Sequence, residues 1–197
     1  MKIDLHVHCR KRSVCSVAGE NDLIQQAINT GLDSIAFTDH DRLVPAAHLA
    51  ELNQRFAPFR IFGGIEITLS EEHILVYGIQ DLALQSRAWN YADLWHFARQ
   101  KGGVMVLAHP FRFQNYIGAA IDRYPPDAIE IHSHNTSIRY EGRIRTIAEQ
   151  LGIRLLSNSD AHAAASLGHY FNQVEVSPAN DLQLVQILKN ETIYTFP

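Results

Sequence analysis

Lys2-Ile3-Asp4-Leu5-His6-Val7-His8 alternates apolar and polar residues, and a period of two is the mark of a β-strand. On such a strand His6 and His8 project from one face. Two imidazoles on one rigid strand make half a site for zinc or a transition metal. An isolated His-x-His reads equally well as a polar strand face. The rest of the chain decides: histidines and acids recur after one predicted strand after another, spaced as in an alternating β/α protein.

Residues 20–30 carry Leu23, Ile24, Ala27 and Ile28 at helical spacing, with Gly31 as C-cap. A strand at 34–38 runs into Asp39-His40-Asp41, and a helix at 45–56 starts on Pro45. Strand 60–65 ends at Glu66, and strand 73–79 begins at His73. Helix 87–100 carries Trp89, Leu94, Trp95 and Phe97 as a core-facing stripe and stops at Gly102-Gly103. Strand 104–107 delivers Ala108-His109-Pro110. A loop with a short helix at 114–121 follows, then strand 128–131 ending in His132-Ser133-His134. Helix 139–151, capped by Gly152, leads to strand 153–156 and Ser157-Asn158-Ser159-Asp160-Ala161-His162. Strand 173–176, helix 181–189 and an extended tail at 192–196 complete the chain.

A βα unit takes about 30 residues, so 197 residues hold six or seven. Continuous apolar strands between helices predict a parallel sheet covered on both faces. Side chains at the ends of that many strands converge only if the strands form a ring, and barrels build their sites at the C-terminal rim. The expectation is an α/β fold, a small (β/α) barrel with fewer than eight strands. His73, at the start of its strand, does not obey the rim rule.

The chain is 46% hydrophobic with a net charge of −4, enough to bury a core and too acidic for a general nucleic-acid surface. Nucleic acid therefore enters only as a possible substrate. The one dense basic run is Arg10-Lys11-Arg12. Two cysteines, Cys9 and Cys15, make no secreted disulfide framework. No apolar run reaches the ~18 residues of a membrane span, and the opening residues are strand rather than signal peptide. We expect a soluble, cytoplasmic, single domain over 1–197, with no membrane partner. Its oligomeric state is open.

The candidate ligands are His6, His8, His40, Glu66, His73, His109, Asp160 and His162, with His132 and His134 as weaker candidates. Imidazole with carboxylate suits Zn, Mn or Fe, and admits Mg. Eight ligands exceed one tetrahedral ion and suffice for two or three divalent ions with open positions. His48, His96 and His169 read as helix-face or surface residues.

In order, Asp4-Leu5-His6-Val7-His8, Thr38-Asp39-His40-Asp41, Gly64-Ile65-Glu66, His73-Ile74-Leu75-Val76-Tyr77-Gly78, Ala108-His109-Pro110 and Ser159-Asp160-Ala161-His162 resemble the motifs of the polymerase-and-histidinol-phosphatase (PHP) metal-dependent phosphoesterases. The resemblance implies a distorted seven-stranded (β/α) barrel. It implies one metal held by His6, His8, Glu66 and Asp160, and a second bridged by Glu66 and held by His73 and His109. A third would rest on His40 and His162. The family usually completes that third site with an Asp or His a few residues after His-x-His, where this chain has Ser13 and Val14.

The resemblance implies metal-activated water attacking a phosphoester, with a small phosphorylated metabolite or nucleotide as substrate. Asp39, Arg112 and His162 are the candidate catalytic residues, Asp39 or Asp41 as the acceptor that orients His40. Arg112, and Arg10, Lys11 and Arg12 of the first loop, are candidates to grip phosphate. The competing readings are an oligonucleotide exonuclease or phosphodiesterase, a protein-tyrosine phosphatase, and a metal-binding regulatory domain with weak catalysis.

Overall fold

A computed structural model describes residues 1–197. Six strands and five helices run as β1 (Lys2–Val7), α1 (Glu20–Asn29), β2 (Ser34–Phe37), α2 (Ala46–Arg55), β3 (Arg60–Leu69), β4 (Glu72–Tyr77), α3 (Ala83–Ser86), α4 (Tyr91–Lys101), β5 (Val104–Ala108), β6 (Ala128–His132) and α5 (Glu141–Leu151). Then follow β7 (Arg154–Ser157), β8 (Phe171–Val174), α6 (Asp181–Asn190) and β9 (Ile193–Phe196). No helix is long and apolar enough to cross a membrane.

The strands form one mixed sheet in the order β7-β6-β5-β4-β3-β2-β1-β8-β9. It curls nearly into a barrel, because the segment after β7 returns to β1. Leu5 N–H donates to Asn158 Oδ1 (3.1 Å) and His8 N–H to the Ala161 carbonyl (2.9 Å). The barrel expectation holds, but the sheet has nine strands rather than fewer than eight, because β8 and β9 extend it beyond β1, and it is not all parallel. β3 runs on to Leu69 and turns straight into β4, which pairs antiparallel with both β3 and β5. That reversal accounts for His73: the start of an antiparallel strand lies at the same rim as the ends of its parallel neighbours.

The sheet separates three apolar clusters. Val7, Phe37 and Ile61 pack outward under α1 and α2 with Leu23, Ile24, Leu49 and Leu52. Ile65, Val76, Met105 and Ile129 pack under α4 and α5 with Leu94 and Ile144. Ile3, Leu5, Phe62, Leu75, Val106 and Leu156 fill the interior, where Leu184 and Leu188 of α6 join them. Strict alternation along β1 would put Leu5 and Val7 together. Instead the register with β2 shifts between Asp4 and Val7, and such a bulge re-aims side chains. Leu5 stays in the interior, Val7 goes outward, and His6 and His8 turn inward.

Local chemistry moves several predicted boundaries. The helix expected from 87 begins at Tyr91, because the Asn90 side chain accepts from Asp93 N–H and caps it. It ends where expected, at Gly102 (φ +74°). Residues 114–121 form turns and no helix. The strand expected at 173–176 lies at Phe171–Val174, and the tail pairs with it as β9.

Gly78, after β4, has φ +79°, and a Cβ there would lie 2.3 Å from Val185 Cγ2 of α6. Gly78→Ala combines the left-handed penalty with overpacking, an expected loss of about 2–5 kcal/mol. Urea unfolding measures it, and an unchanged midpoint would contradict this packing of α6.

Candidate metal centre

Glu66, on the inward face of β3, is wholly buried and lies at the middle of the cluster. Its Oε2 faces His6 Nε2 (3.3 Å), His8 Nε2 (3.1 Å) and His40 Nδ1 (3.0 Å). Its Oε1 faces His73 Nδ1 (2.8 Å) and His109 Nε2 (2.9 Å). One carboxylate thus serves two groups of imidazoles, as a bridging ligand requires. Asp160 Oδ1 closes the first group, 3.3 Å from His6 Nε2 and 3.1 Å from His8 Nε2.

His6, His8, Glu66 and Asp160 present ligand atoms all within 4.8 Å of one another, and so do His40, Glu66 and His73, and His8, His40 and His162. His6 Nε2, His8 Nε2, His40 Nδ1, Glu66 Oε2 and Asp160 Oδ1 are buried without a hydrogen-bond partner. Buried polar atoms are nearly always paired, so five convergent exceptions of mixed N and O character fit divalent cations. The donor set is imidazole and carboxylate.

The electrostatics agree. Burial pushes the Glu66 and Asp160 carboxyls up, but the imidazoles around them outweigh it and hold both below the usual carboxylate range. Burial likewise opposes a charge on His6, and Asp160, Glu130 and Glu66 overcome it, raising its pKa. Positive charge is drawn to this point. Burial, helped by His8, His73 and His6, pushes His40 down to about 4, so its ring is a neutral donor at pH 7.

Three of the candidate rings, those of His6, His8 and His162, are held from behind. His6 Nδ1 donates to Glu130 Oε1 (2.9 Å). Glu130 also accepts from Asn158 Nδ2 (2.7 Å) and the His109 N–H (2.7 Å). Sequence reasoning missed Glu130; its signal was a lone acid inside the apolar strand Ala128-Ile129-Glu130-Ile131. Ser13 Oγ donates to Asp39 Oδ1 (2.9 Å), accepts from the His40 N–H (3.0 Å) and lies 3.3 Å from His8 Nδ1. Ser13 therefore turns His8 Nε2 toward the carboxylates, while Val14 is fully exposed at 101%. His162 Nδ1–H donates to the Asp160 carbonyl (2.9 Å), freeing Nε2. Asp160 Oδ2 accepts from Asn135 Nδ2 (2.6 Å), with Arg112 Nη1 at 3.5 Å.

Asp41, His109, Phe111 and Asp160 all have positive φ. Such non-glycine strain costs roughly 1–3 kcal/mol per residue and gathers at functional sites. A cavity of about 710 Å³ lies at the opposite end of the barrel beside Met1 and Arg60 and contains none of these residues.

Other expectations are corrected. Asp39 does not orient the His40 ring: Oδ1 accepts from the Cys9 N–H (2.7 Å) and Ser13, and Oδ2 from Arg12 Nε (2.6 Å). Asp41 accepts from the Thr68 N–H instead. Arg12 is ion-paired with Asp39 and Glu20 rather than free at the rim, and Arg10 is exposed. His132 and His134 stand outside the metal-ligating groups. His132 Nε2 is 3.7 Å from Glu141, and His134 donates to the Ser166 carbonyl (3.0 Å).

Solved structures share this fold. PsfC from Pseudomonas syringae is 18% identical with a TM-score of 0.70, the match covering 99% of this chain and 90% of that one. A two-domain protein from Bacteroides vulgatus containing a predicted PHP-like metal-dependent phosphoesterase is 16% identical (TM-score 0.71; 100% of this chain, 64% of that one). The lesion-specific endonuclease PfuEndoQ from Pyrococcus furiosus is 17% identical (TM-score 0.63; 99% and 58%). This chain thus spans less than two thirds of the last two. No curated protein sequence matches it. The PHP domain family matches residues 4–174, a span that begins at the strand carrying His6 and His8 and takes in every residue of the cluster. The chain belongs to the PHP domain family.

Proposed function

We propose that this protein is a metal-dependent phosphoesterase that hydrolyses a small phosphorylated metabolite or nucleotide. The observation that carries the reading is the convergence of five buried, unpartnered donor atoms, one each from His6, His8, His40, Glu66 and Asp160. His6, His8, Glu66 and Asp160 would hold one divalent ion, with Glu66, His73 and His109 holding a second. Ser13 is occupied behind His8 and His40, and His8 would serve the first ion, which leaves a third ion only His40 and His162 of its group and favours two. Bound ions would lower the pKa of water toward about 7 and neutralise charge developing on phosphate.

The chain's own residues supply the rest. Arg112 is only loosely held by Asp160 and keeps donors for phosphoryl oxygens. His162, with Nδ1–H fixed, offers Nε2 beside His8 and His40 as a proton acceptor. Water adds to phosphorus, the ester P–O bond breaks, and the alcohol leaves with one of the water's protons.

The test is hydrolysis of an aryl phosphomonoester and an aryl phosphodiester with Mn, Zn or Mg, together with metal analysis. We expect two metals per chain, turnover abolished by chelation and restored by metal, and preference for the monoester. A chelated protein that retains full turnover would refute the mechanism.

A further inference from the structure

Beside the metal centre, on the same rim, lies a cavity of about 440 Å³ whose lining includes Lys11, Arg12, Arg42, His48 and Gln85 and no carboxylate. Lys11 and Arg12 come from the loop after β1 and Arg42 from the loop after β2, which also carry Ser13 and His40. The exposed Glu51 meets His48 (3.4 Å), and Asp39 and Glu20 are the acids that meet Arg12 and Lys11. Both are committed: Asp39 to Arg12 Nε, Glu20 to Arg12 Nη1 and to His48 Nε2 (2.9 Å). Lys11 reaches Glu20 only at 3.9 Å, and Arg42 makes no ion pair. The cavity therefore keeps an excess of positive charge.

Two independent features point to an oxyanion. The Arg12 side chain is only 9% exposed, and its Nη2 is buried with no hydrogen-bond partner. The cavity also meets the start of α2. Pro45 offers no side-chain cap there, and the first turn carries no acidic residue. The first amide groups of a helix have no intrahelical acceptor and carry the positive end of its dipole, which suits phosphate.

We propose that this cavity is a second phosphate site, seating a distal phosphate of the substrate while the metal centre hydrolyses the other ester. The substrate assignment rests on the phosphoesterase reading; the anion site itself does not.

The test has two arms. Metal-loaded protein is titrated with inorganic phosphate by calorimetry, and the double variant Lys11→Ala/Arg42→Ala is compared. Two bound phosphates are expected, one weakened roughly tenfold or more in the variant, as the loss of one charge-assisted hydrogen bond implies. A single phosphate unaffected by the double substitution would overturn the site. In the second arm, straight-chain diol bisphosphates of increasing length are compared with the matching alkyl monophosphates. At the fitting length we expect kcat/KM to favour the bisphosphate roughly tenfold, a ratio that collapses toward one in the variant. Phosphate bound in the cavity with no such preference would overturn the substrate assignment and make free phosphate the occupant. If no ester turns over while the variant still loses its second phosphate, the phosphoesterase reading fails and the anion site stands.

Discussion

Asp160→Asn is expected to empty the site it shares with His6, His8 and Glu66 and to lower kcat/KM on a phosphomonoester by about a thousandfold, the equivalent of several kcal/mol of metal chemistry. The reason is orientation as well as charge. Asp160 Oδ2 faces two donors, Asn135 Nδ2 at 2.6 Å and Arg112 Nη1 at 3.5 Å. An asparagine at this position must give its carbonyl oxygen to those donors. Its NH2 then points into the basin toward any cation, where Asp160 Oδ1 now meets His6 and His8 Nε2. The geometry further predicts a rescue. Asn135→Asp in the same chain turns the donor at Oδ2 into an acceptor, lets the new amide flip, and restores part of the metal content. Metal analysis of the single and double variants, with circular dichroism to confirm folding, gives the answer. Full metal occupancy in Asp160→Asn would remove Asp160 from the ligand set, and absence of any rescue would remove Asn135 from its support.

The candidate ligands were legible because each is a His or acid within or just past an apolar strand, where burial without a partner is costly. His6, His8, Glu66, His109 and Asp160 all carry that contrast with their neighbours. Sequence periodicity could not supply strand direction: nothing in Arg60 to Tyr77 separates a hairpin from two parallel strands with a short link. His73 therefore looked misplaced until β4 was seen to run backwards. The bulge in β1 was hidden for a similar reason, since alternation continues through it while the faces change. Asp39 was misassigned because its partners lie in a loop. Asp39 shares a motif with His40, yet it gathers the Cys9 amide, Ser13 and Arg12 and so fixes the first loop. Partners 26 to 30 residues away leave no periodic trace.

Glu130 extends that lesson to a residue whose loss separates folding from metal binding. Its side chain is wholly buried and takes three donors: His6 Nδ1, Asn158 Nδ2 and the His109 N–H. Glu130→Leu strands all three, at roughly 1–3 kcal/mol for each unsatisfied buried group, and together they approach the roughly 5–15 kcal/mol stability of a typical domain. We expect that variant to be insoluble or unfolded. Glu130→Gln keeps the shape but brings its own NH2 against one of the three donors. The fold survives, and His6 loses the acceptor that keeps its proton on Nδ1 and its lone pair on Nε2 toward Glu66 and Asp160. Loss of such an orienting partner lowers metal affinity about 10–100-fold. Two readouts separate this from general damage. Competition with a chromogenic chelator measures the affinity, and the nitrogen chemical shifts of His6 report which ring nitrogen carries the proton. A Glu130→Gln protein with unaltered affinity and an unaltered His6 tautomer would assign Glu130 to stability alone. A shifted tautomer with weakened metal in a folded chain means that this one buried carboxylate, through His6 and the His109 amide, aims ligands of both metal groups at Glu66.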